Sequence, residues 1–144
     1  MIEQDTIRLL RECDAGVQMG VSAIHQALTG TNDPDLRARL EKSAREHEQL
    51  AEEIARELDR YHDEGKAPNP IAKAMSTAKT NMELLMHEDD KTVASLITDG
   101  ANMGVKSLNQ YLNEFEAADE RSKDICKRLI HLEQELLREV RDFL

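Results

Sequence analysis

The chain contains no tryptophan, and phenylalanine and tyrosine together make up only 3% of its 144 residues. Proline occurs three times and cysteine twice. A composition that is poor in these residues and rich in Ala, Glu, Lys, Leu and Arg is typical of long helices, so we expect no β-sheet. Two cysteines are too few for the disulfide framework of a small secreted domain. We expect Cys13 and Cys126 to pack as small apolar side chains on helix faces.

Positive charge is also scarce, because 19 Lys and Arg residues stand against 29 Asp and Glu residues and leave a net charge of −10. Such a charge repels nucleic-acid backbones and anionic lipid surfaces. No apolar run approaches the length of a membrane-spanning helix, about 20 residues. The chain opens with Glu3, Gln4 and Asp5 in place of the basic and apolar regions of a secretory signal. We therefore expect a cytoplasmic protein without nucleic-acid or membrane partners.

An internal repeat is the most informative pattern in the chain. The segment GVQMGVSAIHQAL begins at residue 16, and GANMGVKSLNQYL begins at residue 100. Gly, Met, Gly, Val, Gln and Leu recur at matching positions, and apolar residues mostly replace apolar ones. This self-similarity predicts a duplicated helical unit.

Apolar residues recur at intervals of three and four along most of the chain, which is typical of amphipathic helices. This periodicity predicts four long helices, over residues 5–29, 34–64, 91–116 and 120–144. It also predicts one short helix, over residues 70–87. Gly30 and Gly65 are the predicted stops of the first two helices. Capping residues precede the later helices, since Asp and Asn accept hydrogen bonds from free amides and Pro suits the first helical position. The predicted caps are Asp33-Pro34, Asn69-Pro70, Glu88-Asp89-Asp90 and Asp119.

The order of the helices predicts a single all-α domain over residues 1–144. It consists of a hairpin over 5–64, a crossover segment over 65–90 that holds the short helix, and a second hairpin over 91–144. A helix of about 17 residues spans about 25 Å, enough to carry the chain along most of a bundle. Two duplicated hairpins joined by one long crossover resemble the ferritin-like four-helix bundles.

The resemblance implies a location for metal chemistry but supplies no ligands. Ferritin-like proteins hold two metal ions at mid-bundle, using a Glu from each of two helices and a Glu-x-x-His motif from each of the others. This chain has no Glu-x-x-His motif, and its nearest form, Asp59-x-x-His62, lies at the end of the second helix. The chain thus resembles a small bacterial branch of the superfamily that lacks the di-iron motifs.

Three polar residues fall within the apolar stripes of their helices, and we expect them to be buried. They are Asp14 on the first helix, His47 on the second and Glu133 on the fourth. Each lies about 20 to 22 Å from its hairpin turn at 1.5 Å per residue, so the three side chains should meet at mid-height. In one interpretation they form a hydrogen-bonded structural cluster, in which His47 donates to Asp14 or Glu133 and Arg11 neutralises Asp14. In the other they bind one divalent metal ion.

Four glycines interrupt the long helices at Gly16, Gly20, Gly100 and Gly104. Relative to alanine they cost about 3 to 4 kcal/mol together, so a packing advantage must offset them. One interpretation is a close contact between the first and third helices, and the other is a self-association surface. The repeated methionines at 19 and 103 lie beside these glycines, where they would contact the crossover helix or a second protomer.

These patterns favour a non-enzymatic interaction or self-association module, whose partner is a second copy or another helical protein. The alternative is a ferritin-like protein that binds Fe, Mn or Zn through Asp14, His47 and Glu133. An enzyme is the less favoured interpretation, because no Ser-His-Asp or Cys-His pairing is evident and no glycine-rich loop follows a strand.

Overall fold

The computed structural model describes residues 2–68 and 89–144. Every regular element in these two ranges is helical, and no strand occurs in them. The elements are α1 (Ile2–Leu28), α2 (Pro34–Arg60), α3 (Asp90–Glu114), α4 (Glu120–Val140) and a final 3-10 turn (Arg141–Phe143). The prediction of an all-α four-helix bundle is confirmed. The predicted short helix over 70–87 lies outside the described residues.

The predicted N-caps are present at the starts of α2, α3 and α4. Asp33, Asp89 and Asp119 each have extended backbone geometry, and each side chain accepts a hydrogen bond from a backbone N–H of the first helical turn. Pro34 occupies the first position of α2, where the missing N–H has no cost. Each cap contributes about 1 kcal/mol, and together they fix where the helices begin.

The carboxyl end of α2 differs from its prediction, because the helix ends at Arg60 and not at Glu64. His62 adopts a left-handed conformation with φ of 55°. The N–H groups of His62 and Asp63 then bond back to carbonyls of the last helical turn, at 3.0 and 3.1 Å. This is a Schellman motif, which closes a helix by satisfying its free carbonyls. Gly65, the predicted stop, lies beyond it in the following loop.

The helices form a square in which α1 packs against α2 and α3, and α4 packs against α2 and α3. At one end of the bundle, the backbone N–H of Asn32 donates to the carboxylate of Asp90 (2.7 Å). At the other end, the N–H of Asp119 donates to the hydroxyl of Thr6 (2.8 Å), and Tyr61 donates to Asp119 (3.3 Å). Helix α2 therefore ends at one end of the bundle, and α3 begins at the other.

The apolar core consists of two clusters stacked along the bundle. The first contains residues such as Leu10, Ile54 and Leu129, and the second contains residues such as Leu40 and Ile97. Each helix passes from one cluster to the other near the middle of its length. No helix in the described ranges is long and apolar enough to cross a membrane.

Candidate functional site

A polar layer separates the two apolar clusters. It consists of Gly20 on α1, His47 on α2, Gly104 on α3 and Glu133 on α4, and these four residues are called the mid-bundle layer below. His47 is fully buried and Glu133 is 6% exposed. The duplicated sequence relates Gly20 to Gly104, so the layer lies where the two halves of the bundle meet.

His47 and Glu133 form a buried hydrogen-bonded pair. Nε2 of His47 lies 2.9 Å from Oε1 of Glu133, and Nδ1 lies 2.7 Å from the backbone carbonyl of Ser43. Burial alone would lower the pKa of His47, but the hydrogen bond and charge of Glu133 and the Ser43 carbonyl raise it above its ordinary value. We infer an imidazolium that donates from both ring nitrogens, to the Glu133 carboxylate and to the Ser43 carbonyl.

The hydroxyl of Ser43 completes a Ser-His-Glu arrangement that the sequence analysis missed. Its Oγ lies 3.3 Å from Nδ1 of His47. The spacing of four residues on one helix face was the signal for this contact. A nucleophilic serine needs a free imidazole nitrogen to accept its proton, and here the carbonyl of Ser43 itself takes the Nδ1 hydrogen. The arrangement therefore holds a charge in place and does not activate the hydroxyl.

The helix-interior glycines of the repeat have different surroundings. A Cβ atom on Gly20 would lie 3.0 Å from Cδ2 of His47 and 3.2 Å from Oε1 of Glu133, and one on Gly104 would lie 3.5 Å from Oε2 of Glu133. Gly16 faces the apolar core, where leucine side chains would lie 3.8 Å from its Cβ. Among the described residues, none has an atom within 4 Å of that position on Gly100. Gly20 thus makes room for the buried pair, a role that helix periodicity alone does not reveal.

Asp14 makes its hydrogen bonds away from His47 and Glu133. Its carboxylate accepts from the Gln18 side chain (2.9 Å) and from the backbone N–H of Lys66 (2.9 Å). A Cβ on Gly65, which has a φ of 86°, would collide with this carboxylate. Arg11, predicted to neutralise Asp14, lies 3.9 Å from the carboxylate of Asp63. Asp14 therefore fixes the loop after α2 to the side of α1.

The structure brings together two of the three predicted metal ligands, His47 and Glu133. Within residues 2–68 and 89–144, no group of three or more His, Cys, Asp or Glu side chains is placed to hold a metal ion. A site with two protein ligands falls short of the three or four that zinc sites use.

The two cysteines meet inside the first apolar cluster, although they come from different hairpins. Cys13 and Cys126 are fully buried, and both are free thiols. Hydrogen bonding between them raises the pKa of Cys13, with burial as a second cause, and lowers the pKa of Cys126. Their burial agrees with the expectation that they pack as small apolar side chains.

The fold and the mid-bundle layer define a class, the antiparallel four-helix bundle with a buried charged pair at its centre. Comparisons with protein-family models, curated proteins and solved structures found no match.

Proposed function

We propose that this chain is a cytoplasmic, ferritin-like helical bundle that works by associating with a second copy or with another helical protein, without catalysing a reaction. The observation that carries the proposal is Met103, which is 69% exposed on α3. A methionine is a flexible apolar side chain suited to helical partners.

The interior of the bundle supports the same conclusion. Within the described ranges, no buried side-chain nitrogen or oxygen lacks a hydrogen-bond partner. His47 and Glu133 are shielded from solvent and bonded to each other, so a substrate would have to displace a charged pair to reach them. The polar residues at mid-bundle therefore favour a structural role.

A ferritin-like topology is part of the proposal. Helix α2 ends beside Asp119 and α3 begins beside Asn32, at opposite ends of the bundle. The segment over 65–90 would then be a crossover that runs along the bundle, with its short helix at 70–87. The repeat at residues 16 and 100 supports two duplicated hairpins joined in this way.

The test is the mass of the protein in solution as a function of concentration. Sedimentation equilibrium from about 1 to 500 μM should show association, and Met103→Lys should weaken it at least tenfold. Gln134→Lys is the matched control, because it adds the same charge at an exposed position on α4. A wild-type protein that remains monomeric, and that captures no helical partner through Met103, would contradict the proposal.

Metal binding is the second candidate function, and the observation that favours it is the meeting of His47 and Glu133 at mid-bundle. Nε2 of His47 and Oε1 of Glu133 lie 2.9 Å from each other. Together with a further ligand, this nitrogen and this oxygen could bind one ion. Elemental analysis of untagged protein after loading with Fe, Mn and Zn tests this. A stoichiometric metal that disappears in His47→Ala supports it, and no retained metal eliminates it.

A further inference from the structure

The outer side of α3 presents one apolar residue between charges of opposite sign. Asp99, Met103 and Lys106 are all exposed, and at about 100° per residue they lie within about 60° of one another around the helix. Gly100 lies about 60° from Met103 in the other direction and is exposed as well. These four residues are called the α3 face.

The two charges of the α3 face lie apart from the ion pairs of the described helices. Neither Asp99 nor Lys106 forms an ion pair with another residue in the described ranges. The face carries one negative and one positive charge, although the chain as a whole has a net charge of −10. Two copies of the chain repel each other over most of their surface, and this balanced face is where repulsion is weak.

The spacing makes the α3 face complementary to itself in an antiparallel arrangement. If a twofold axis passes between residues 101 and 102, Met103 of one copy lies level with Gly100 of the other. Asp99 of one copy then lies within about 3 Å, measured along the helix, of the level of Lys106 of the other. The twofold operation keeps both charged residues on the same flank of the contact, so each Asp99 faces the Lys106 of the other copy and the pair forms twice.

We propose that the α3 face is the contact of an isologous dimer, in which the α3 helices of two copies pack antiparallel. Met103 of each copy packs over the space beside Gly100 of the other, and two Asp99–Lys106 pairs set the register. This inference rests on the proposed self-association and specifies its geometry. The glycine suits the contact because it lets the second helix approach closely.

Charge reversal tests the register. Asp99→Lys and Lys106→Asp should each weaken the dimer about tenfold, because each turns two attractions into two repulsions. The double variant Asp99→Lys/Lys106→Asp should recover wild-type association, since the pairs reform with exchanged charges. Sedimentation equilibrium gives the dissociation constants, and circular dichroism checks that these exposed substitutions leave the helices intact.

The single variants also separate specific pairing from bulk charge. Asp99→Lys lowers the net negative charge, so a merely electrostatic association would strengthen, whereas the proposed contact weakens in both singles. This inference is overturned if the dissociation constant is the same in all three variants, or if it changes only with the net charge of the chain. Self-association itself would then still hold. A wild-type protein that stays monomeric overturns both the α3 contact and self-association. If Met103 is protected from peroxide oxidation in that monomer, another part of the same chain covers the α3 face.

Discussion

Two contacts between the hairpins, α2 with α4 and α1 with α3, are built differently, although a sequence repeat links residues 16 and 100. Helix α2 meets α4 through ionic and polar side-chain pairs at four levels, from one end of the bundle to the other. These pairs are Arg39–Glu139, His47–Glu133, Glu53–Arg128 and Glu57–Arg121. Helix α1 meets α3 through small and apolar residues, with Gly16, Gly20 and Gly104 on the inner surfaces. One contact is therefore polar and the other is close-packed.

The difference shows how this bundle can accommodate a buried charge. His47 and Glu133 reach inward from the polar contact and occupy space beside Gly20 and Gly104 in the close-packed contact. The Cβ of an alanine at residue 20 would lie 3.0 Å from Cδ2 of His47, so the imidazole would have to shift. Gly20 therefore makes room for the buried pair, and the pair gives a reason for a glycine that weakens its helix.

Glu133→Ala should have the largest effect on stability. The variant leaves an imidazolium buried without its carboxylate, which costs about 3 to 5 kcal/mol. Urea unfolding followed by circular dichroism measures the free energy of unfolding. If the variant's free energy of unfolding is lower than that of the wild type by less than about 1 kcal/mol, the buried pair does not stabilise the polar contact.

Glu53→Ala is the control for that comparison, because Glu53 bonds Arg128 in the same contact but nearer to solvent. The hydrogen bond and charge of Arg128 lower the pKa of Glu53, and the side chains are 32% and 46% exposed. Exposed pairs contribute about 0 to 1 kcal/mol. A loss equal to that of Glu133→Ala would mean that burial is not the deciding factor.

Gly20→Ala tests the close-packed contact. Its new methyl group would lie 3.0 Å from the imidazole of His47, so the pair must shift or the helices must separate. Overpacking of this kind costs about 1 to 3 kcal/mol. Alanine has less backbone entropy than glycine in the unfolded chain, and this offsets up to about 1 kcal/mol of the cost. We expect a net loss in the free energy of unfolding and a lower pKa of His47 by NMR titration.

Gly100→Ala is the control substitution, at a helix-interior glycine of α3 in the other copy of the repeat. In the part of the chain that the structure describes, no atom lies within 4 Å of its Cβ position, so the helix gains propensity without a collision there. The expected result is stabilisation by about 0.5 to 1 kcal/mol in the monomer. If Gly20→Ala is equally stabilising, the close approach to His47 has no energetic consequence and the explanation for that glycine is wrong.

Local signals in the sequence predicted most of the fold. Helix periodicity and the acidic caps at Asp33 and Asp119 act within one turn, so the sequence carries them directly. Counting 1.5 Å per residue from the hairpin turns was enough to bring His47 and Glu133 to the same level. Their hydrogen bond follows from the apolar stripes on which both residues lie.

The remaining features depend on contacts that periodicity does not encode. Asp14 pairs with a backbone N–H of the loop after α2, and this loop begins early because His62 closes the helix. The prediction grouped Asp14 with His47 and Glu133, as a hydrogen-bond partner or a metal ligand, because its position within an apolar stripe showed burial but not its partner. The role of Gly20 required knowing which side chains cross from the other helices.

The smallest expected effect is the pH dependence of the free energy of unfolding, which tests the buried pair of the polar contact. The pKa of His47 is raised in the folded state, so the folded protein holds this proton more tightly than the unfolded chain. The stabilisation is fully present below the unfolded value of about 6.5 and is lost as the pH rises through the folded pKa.

The titratable and charged groups around the imidazole are Glu133 on α4 and Glu46 on α2, while α1 and α3 present the uncharged Gly20 and Gly104. Urea unfolding at a series of pH values from 6 to 9 should show a decline for the wild type. Glu133→Gln should abolish most of the decline, because the amide provides no charge to hold the proton. A decline of the same size in both proteins would place its origin in other groups, and the buried pair would then hold its proton no more tightly than the unfolded chain does.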